Sequence, residues 1–253
     1  MLPVESRNMY TLLLRLGGPL QSWGSASFYD TRETDYMPTK SGCVGLIAAA
    51  LGRRRDESVS DLNELSFGVR TDIAGVRIND FQTTQMGEKL NSNISNRVYL
   101  SDALFLAGFG CEDENFLEEI KEALINPAFS LFLGRRSCPP TMPVVLGIRH
   151  LDLYDALRDE PWLALEWRRN RLFGKDSRLA LRIVIEDKEG NSAVKKDVPV
   201  SFSPFNRQYG YRCIKEMPPK IVVRASSENA AARTDPDHEA AAASGHDPFG
   251  ELE

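Results

Sequence analysis

Two glycine-rich, basic segments lie far apart in the chain and carry residue types that bind anions. The first runs Leu16-Gly17-Gly18-Pro19-Leu20-Gln21-Ser22-Trp23-Gly24 and resumes at Pro38-Thr39-Lys40-Ser41-Gly42-Cys43-Val44-Gly45-Leu46. The second is Leu133-Gly134-Arg135-Arg136-Ser137-Cys138-Pro139-Pro140-Thr141. Glycine lets a ligand approach the backbone, and Lys, Arg, Ser and Thr supply donors, a combination suited to phosphate. A helix starting near Thr39-Lys40-Ser41-Gly42 would add unpaired N–H groups and the positive end of a dipole. The spacing is not that of a nucleotide-binding P-loop, because Thr39 stands where glycine should precede the lysine. Taken alone, these residues fit ordinary helix capping and close packing better than an anion site. Gly134-Arg135-Arg136-Ser137 is a sharper signal. Adjacent arginines leave an expected strand and meet a rigid Pro139-Pro140 pair, making a fixed basic corner whose planar forks suit phosphate. A surface turn with salt bridges fits the same residues equally well.

The elements that must position these segments read as strand, helix, strand, excursion, strand, helix, strand. Tyr10, Leu12, Leu14 and Leu16 alternate with Thr11, Leu13 and Arg15, as in a strand. Ser41 to Leu51 is a compact apolar helix, with Ser41 as N-cap and Gly52 as its stop. A short helix over Ser58 to Leu65 and a strand over Phe67 to Thr71 follow. Residues 79–96 are polar and aperiodic, which reads as a long exposed loop or hairpin tip. Val98 to Ala107 resumes as a strand. In Glu114 to Ile125, residues Phe116, Leu117, Ile120, Ala123 and Leu124 share one helical face, between Asp113 and Pro127. Phe129 to Leu133 reads as the last strand. The order βαββαβ is the ferredoxin-like split motif of α+β proteins, found in RNA-recognition (RRM-like) domains and in many unrelated ones. Strands at Leu179 to Ile185 and Ala193 to Phe202, joined by a Gly190-Asn191 turn, suggest a smaller β-rich part. The expected division is therefore 1–140 for the ferredoxin-like domain, 141–224 for the β-rich region and 225–253 for a disordered tail.

Composition narrows the classes of function. No apolar stretch reaches the length that spans a bilayer, and the N-terminus lacks a signal pattern, so a cytoplasmic protein without membrane contact is expected. Cys43, Cys111, Cys138 and Cys213 form no Cys-x-x-Cys pair, against a zinc site or a disulfide framework. The formal charge of −5 hides an asymmetry, because residues 225–253 hold seven acidic residues and one base, Arg233. Removing these from totals of 36 and 31 leaves 29 acidic and 30 basic residues in 1–224. Bases cluster at Arg53-Arg54-Arg55, Arg135-Arg136 and Arg168-Arg169-Asn170-Arg171, the first a solvated helix end. Of three histidines only His150 precedes the tail, and paired-carboxylate or His/Asp metal motifs are absent. That pattern favours a binding protein without cofactor, metal or catalytic group over a metal-independent ribonuclease, which commonly needs a general base such as His with Tyr or Lys. A site built from Tyr and Lys stays open.

Gly18-Pro19-Leu20-Gln21-Ser22-Trp23-Gly24, Pro38-Thr39-Lys40-Ser41-Gly42, Gly45-Leu46, Leu133-Gly134-Arg135-Arg136-Ser137-Cys138-Pro139 and Pro204-Phe205-Asn206-Arg207-Gln208-Tyr209 together resemble one family. It is the CasD subunits of type I-E CRISPR Cascade complexes, within the RAMP superfamily. The motifs run in the family's order across residues 9 to 215, and the Gly-Arg-Arg-Ser-Cys-Pro run is the most discriminating. The tail from Ala225 has no counterpart in the resemblance. The resemblance implies a ferredoxin-like RAMP domain whose thumb falls at 79–96, and the long, polar segment is expected to order only against RNA and a neighbouring subunit. It implies a subunit that holds the five-prime handle of the CRISPR RNA and caps the Cascade backbone filament. Such a subunit touches the backbone subunit and the large subunit, and meets target DNA through the assembled complex. The RNA-binding residues expected from motifs and resemblance are Gln21, Trp23, Arg32, Thr39, Lys40, Ser41, Gly42, Asn96, Arg97, Arg135, Arg136, Ser137, Arg207 and Tyr209. In a sister subtype the equivalent protein cuts repeat RNA, so an endoribonuclease is the alternative. A protein-interaction module whose basic corner meets acidic partners is the third reading.

Overall fold

The computed structural model describes residues 9–24, 27–28, 31–85 and 92–224. The expected tail, 225–253, and the tip at 86–91, including Met86 and Leu90, lie outside the described residues. The elements are β1 (Tyr10–Gly17), β2 (Leu20–Gln21), β3 (Ser27–Phe28), β4 (Thr31–Arg32), α1 (Lys40–Ala50), α2 (Ser60–Glu64), β5 (Ser66–Ile73), β6 (Val76–Gln85), β7 (Ser92–Ser101), β8 (Leu104–Cys111), α3 (Glu114–Ile125), β9 (Val145–Arg149), α4 (Leu153–Asp159), α5 (Glu166–Phe173), β10 (Arg178–Glu186), β11 (Ala193–Ser201) and β12 (Gln208–Val223).

The main sheet has seven strands in the order β11-β12-β10-β5-β8-β1-β9. Within it β9-β1-β8-β5 are antiparallel neighbours, which is the ferredoxin-like arrangement of an α+β fold. β1 is central and covered on both sides. Leu12, Leu14 and Leu16 face a core shared with α1 and α3, while Leu13 faces a second core with Leu153, Ala156 and Leu157 of α4. Double coverage explains why the intervening leucine is as buried as its alternating neighbours. α3 begins as its sequence specifies: Asp113 accepts from the Phe116 N–H at 3.2 Å, and Leu117, Ile120 and Leu124 are buried. α1 is capped by Thr39, two residues before the expected Ser41.

The strand expected at Phe129 to Leu133 is irregular chain. Its first N–H groups bond to the end of α1, Ala128 to Ala50 O and Phe129 to Ala49 O, and Leu131 and Leu133 plug the core. β9 takes the place of the fourth core strand, past the boundary expected at residue 140. β10, β12 and β11 then extend the same sheet beside β5. A salt bridge buried at both ends, Arg70 to Asp72, fixes the 157–163 connection. Arg70 donates to the carbonyls of Leu157, Glu160 and Pro161, and Asp72 accepts from the Leu163 N–H at 2.7 Å.

The excursion, expected as a long exposed loop or hairpin tip, is a paired hairpin through Gln85 and Ser92. β6 and β7 keep an unbroken antiparallel register from Val76 opposite Ser101 to Gln85 opposite Ser92. β7 also pairs with β2 and β4, so the hairpin grows from a second, smaller sheet.

Candidate nucleic-acid interface

The two glycine-rich segments, distant in sequence, form one unit. The Ser22 N–H donates to Leu133 O at 3.0 Å. Thr141 sends its N–H and its hydroxyl to Gly17 O, at 2.8 and 2.9 Å. Gly134 sits at φ 84°, and a Cβ there would lie 1.7 Å from the Ser22 carbonyl oxygen. Only glycine permits that conformation and that approach together. A Cβ on Gly18 would meet the Pro139 carbonyl at 2.9 Å. Beyond this clasp, the Leu133 N–H donates to Cys138 O at 2.7 Å and the Cys138 N–H to Arg135 O at 2.9 Å. The resulting tight turn holds Arg136 and Ser137 outward.

The two arginines have different surroundings. Arg135 reaches sideways, donating from Nη1 to Val98 O at 3.2 Å and from Nη2 to Arg32 O at 2.7 Å, with its guanidinium 4.7 Å from the centre of the Tyr99 ring. It bolts the turn to β4 and to the base of the hairpin. Arg136 is exposed, and its side chain makes no hydrogen bond or ion pair among the described residues. Near it stand further unengaged donors. Arg32 is exposed on β4, in register with Arg97 of β7, and Thr31 is in register with Asn96. Arg97 and Asn96 are half-buried, and the Arg97 Nε is shut from solvent without a hydrogen-bond partner. Ser137 is exposed, its hydroxyl 3.9 Å from Cys138 Sγ. Arg32, Asn96, Arg97, Arg136 and Ser137 are therefore the expected site residues brought together with donors to offer.

A second group of expected site residues is turned inward. Gln21 is buried, donating to Leu16 O and Ala103 O and accepting from Trp23 Nε1 at 3.0 Å. Trp23 is fully buried and lies on Gly42, whose Cβ would come within 2.8 Å of the indole. The space beside Gly42 is thus taken by Trp23. Thr39 accepts from the Gly42 N–H, and Ser41 donates to Thr39. The Lys40 side chain is 2% exposed, with Nζ 2.8 Å from Asn63 O and 3.0 Å from Glu186 Oε2. Burial pushes its ammonium below the ordinary lysine value while Glu186 pulls it back up. The anion position at the start of α1 is filled from within the chain, since Asp197 Oδ2 accepts from the Lys40 N–H at 3.0 Å. Burial alone would raise the Asp197 carboxyl. Arg212, donating to it at 2.6 and 2.9 Å, holds it below the usual carboxylate range. Lys195 adds a charge contact to Asp35 at 3.0 Å, outside hydrogen-bonding angles. A phosphate at this helix start would have to displace a paired carboxylate, so Lys40, Thr39, Ser41 and Gly42 position the site instead of facing a ligand.

Arg207 is exposed before β12 and Tyr209 is half-buried on it. No hydrogen bond or ion pair among the described residues joins them to the Arg135 turn. His150 is exposed, its ring against Tyr10 and its Nε2 3.4 Å from Glu114 Oε1. That trio lies at the opposite end of β1 from Gly17, about 23 Å away at a strand's rise. Among the described residues no group of His, Cys, Asp and Glu could hold a metal ion, and no helix is long and apolar enough to cross a membrane. Sequence reading missed Glu186, Asp197, Arg212 and Tyr99. Each works through a partner at least 15 residues away, and nothing in its own neighbourhood marks it.

The family model described as CRISPR-associated protein (Cas_Cas5) matches residues 11–215. The CRISPR system Cascade subunit CasD of Escherichia coli (strain K12) is 37% identical over 159 residues, covering 54% of this chain and 70% of that protein. A chain from a structure titled CRISPR RNA-guided surveillance complex superposes with a TM-score of 0.68 at 30% identity, covering 84% of this chain and 91% of the other. A crystal structure of a Cas protein superposes at 0.64 with 39% identity, covering 83% and 95%.

Proposed function

Because the chain belongs to the Cas5 family of CRISPR-associated proteins, we propose that it is the CasD-type subunit of a cytoplasmic Cascade surveillance complex. Its task is to grip the five-prime handle of the CRISPR RNA without cutting it. The observation that carries this reading is the outward turn at Arg136 and Ser137, clamped to the hairpin base beside Arg32, Asn96 and Arg97. Arg32, Asn96, Arg97 and Arg136, with donors left over among the described residues, and the weakly engaged Ser137 hydroxyl suit a phosphate backbone across one junction, because phosphate contacts set register without reading sequence. Lys40, Gln21 and Trp23 support the junction from below. The β6–β7 hairpin is the thumb, extending over the guide toward the neighbouring backbone subunit, while another face meets the large subunit. Arg207 and Tyr209 belong to a separate contact. The carboxylates nearest the junction are engaged within the chain, Glu33 by Arg77 and Asp80 by Gln82, which favours holding over cleavage.

The test is guide-RNA binding by the chain carrying Arg32→Ala and Arg136→Ala, measured from low to high salt. Each lost phosphate contact should lower the slope of log K against log salt by about 0.7 for single-stranded RNA, about 1.4 for the pair. An unchanged slope and affinity would remove this junction from the RNA path. Incubation with labelled repeat RNA checks the second part, and cleavage that survives chelation would reverse it.

A further inference from the structure

The described chain stops at a basic collar that the proposed RNA junction does not use. The Arg224 N–H donates to Ser177 O at 2.9 Å and its guanidinium to Gly174 O at 3.3 Å, while Val223 is in register with Arg178. Arg224, the last described residue, is therefore held at the turn between α5 and β10. Around this point Arg171, Lys175 and Arg178 are exposed, and their side chains make no hydrogen bond or ion pair among the described residues. Neighbouring cations are engaged: Arg168 with Asp102 O, Arg169 with Ala164 O, Arg182 with Glu216. Trp167 is 64% exposed and Leu165 65%. Trp167 stands one helical turn before Arg171, so the two share a face. The collar thus combines three free cations with bare apolar surface.

The segment rooted there has the opposite character. Residues 225–253 contain Glu228, Asp235, Asp237, Glu239, Asp247, Glu251 and Glu253 against Arg233 alone, with Phe249 and Leu252 as their large apolar residues. We propose that this acidic segment docks back on the collar of Arg171, Lys175, Arg178 and Trp167 at its own root. The cluster Asp235-Pro236-Asp237-His238-Glu239 begins eleven residues past Arg224. Eleven residues of unstructured chain would have a root-mean-square span of about 17–20 Å. α5 is only about 12 Å long at helical rise, so the acids reach its whole exposed face without stretching. A tether this short supplies an effective concentration in the millimolar range, enough to make weak charge contacts count. The docked segment screens these cations from stray polyanions and leaves the Arg136 junction open.

The chain's three tryptophans make the test clean, because Trp23 and Trp162 are buried and only Trp167 is open to a solute quencher. Acrylamide quenching is compared between the full chain and the chain ending at Arg224. Trp167 should be at least twofold more accessible in the shortened chain. The full chain carrying Asp235→Asn, Asp237→Asn and Glu239→Gln should behave like the shortened one, which separates docking from any effect of truncation on folding. Carbodiimide coupling of the full chain should join Lys175 to carboxylates of the 235–239 peptide. That link should vanish at 1 M salt, where the screening length falls to about 3 Å. Quenching unchanged by truncation and by neutralisation, or no salt-sensitive link from Lys175, overturns the proposal. So does an oligonucleotide that protects Trp167 equally in the full and shortened chains, since the collar would then be an open nucleic-acid surface.

Discussion

Replacing Gly134 with alanine tests the claim that the basic turn is held by its clasp on Ser22. At φ 84° an L-residue costs about 1–2 kcal/mol from backbone sterics alone. The new Cβ would sit 1.7 Å from the Ser22 oxygen, where real contacts stay above 3.0 Å, so the segments must separate by more than about 1 Å. That separation breaks the 3.0 Å bond from the Ser22 N–H to Leu133 O, in a place where Ser22 is 1% exposed. A buried donor left unsatisfied costs about 1–3 kcal/mol. The total is about 2–5 kcal/mol, and its middle, about 3.5 kcal/mol, lowers Tm by about 7–14 °C in a protein of this size. Thermal unfolding measures this, with Gly24→Ala as the control because nothing lies within 4 Å of its Cβ position. Guide binding should weaken in the same variant, because Arg136 loses its fixed direction. A Gly134→Ala protein melting within about 2 °C of the parent would refute the clasp.

Other perturbations separate residues that support the site from residues that contact the ligand. Lys40→Met leaves Glu186 nearly buried without its partner and should cost about 3–5 kcal/mol in chemical denaturation, while the salt slope of RNA binding in the refolded protein stays unchanged. Asp197 has a folded carboxyl value below its unfolded one, so its stabilisation is complete above the unfolded value, about 3.9, and disappears as pH falls through the lowered folded value. The stability gap between parent and Asp197→Asn should therefore be flat from pH 5 to 8 and close only in acid; a gap that closes near neutral pH would contradict the assignment. Arg135→Ala should loosen the hairpin base, seen as faster amide exchange at Val98 and Tyr99, whereas Arg136→Ala should leave exchange there unaltered and weaken RNA binding.

The parts of the fold that were legible were those whose signals are local. α3 shows its cap, its apolar face and its proline stop within 15 residues, and the structure has it between the expected bounds. β1 alternates, although the burial of Leu13 required knowing that helices cover both sheet faces. Phe129 to Leu133 misled because alternation reports which side chains are buried, and here Leu131 and Leu133 are buried while the backbone bonds to the end of α1. α4, α5 and β9 are short, and their character comes from what they pack against. At the site, the motif runs marked the right neighbourhood but could not separate outward donors from inward ones. Lys40 and Arg136 are both cations beside glycine and serine. The first meets Glu186 across 146 residues of chain, and the second meets no described partner.

The bond from Asp197 to the start of α1 spans 157 residues. At a synthesis rate of about 5–20 residues per second, α1 waits about 8–30 s on the ribosome before the carboxylate that completes it is made. Lys40 waits almost as long for Glu186, so the first half of the chain leaves the tunnel with a lysine that cannot yet be buried. Pairings this remote also slow folding after release, because loop closure comes before its reward. The leucines of β1 and α1 can be covered once α3 is made, near residue 125, but the start of α1 keeps its anion position open until Asp197 emerges.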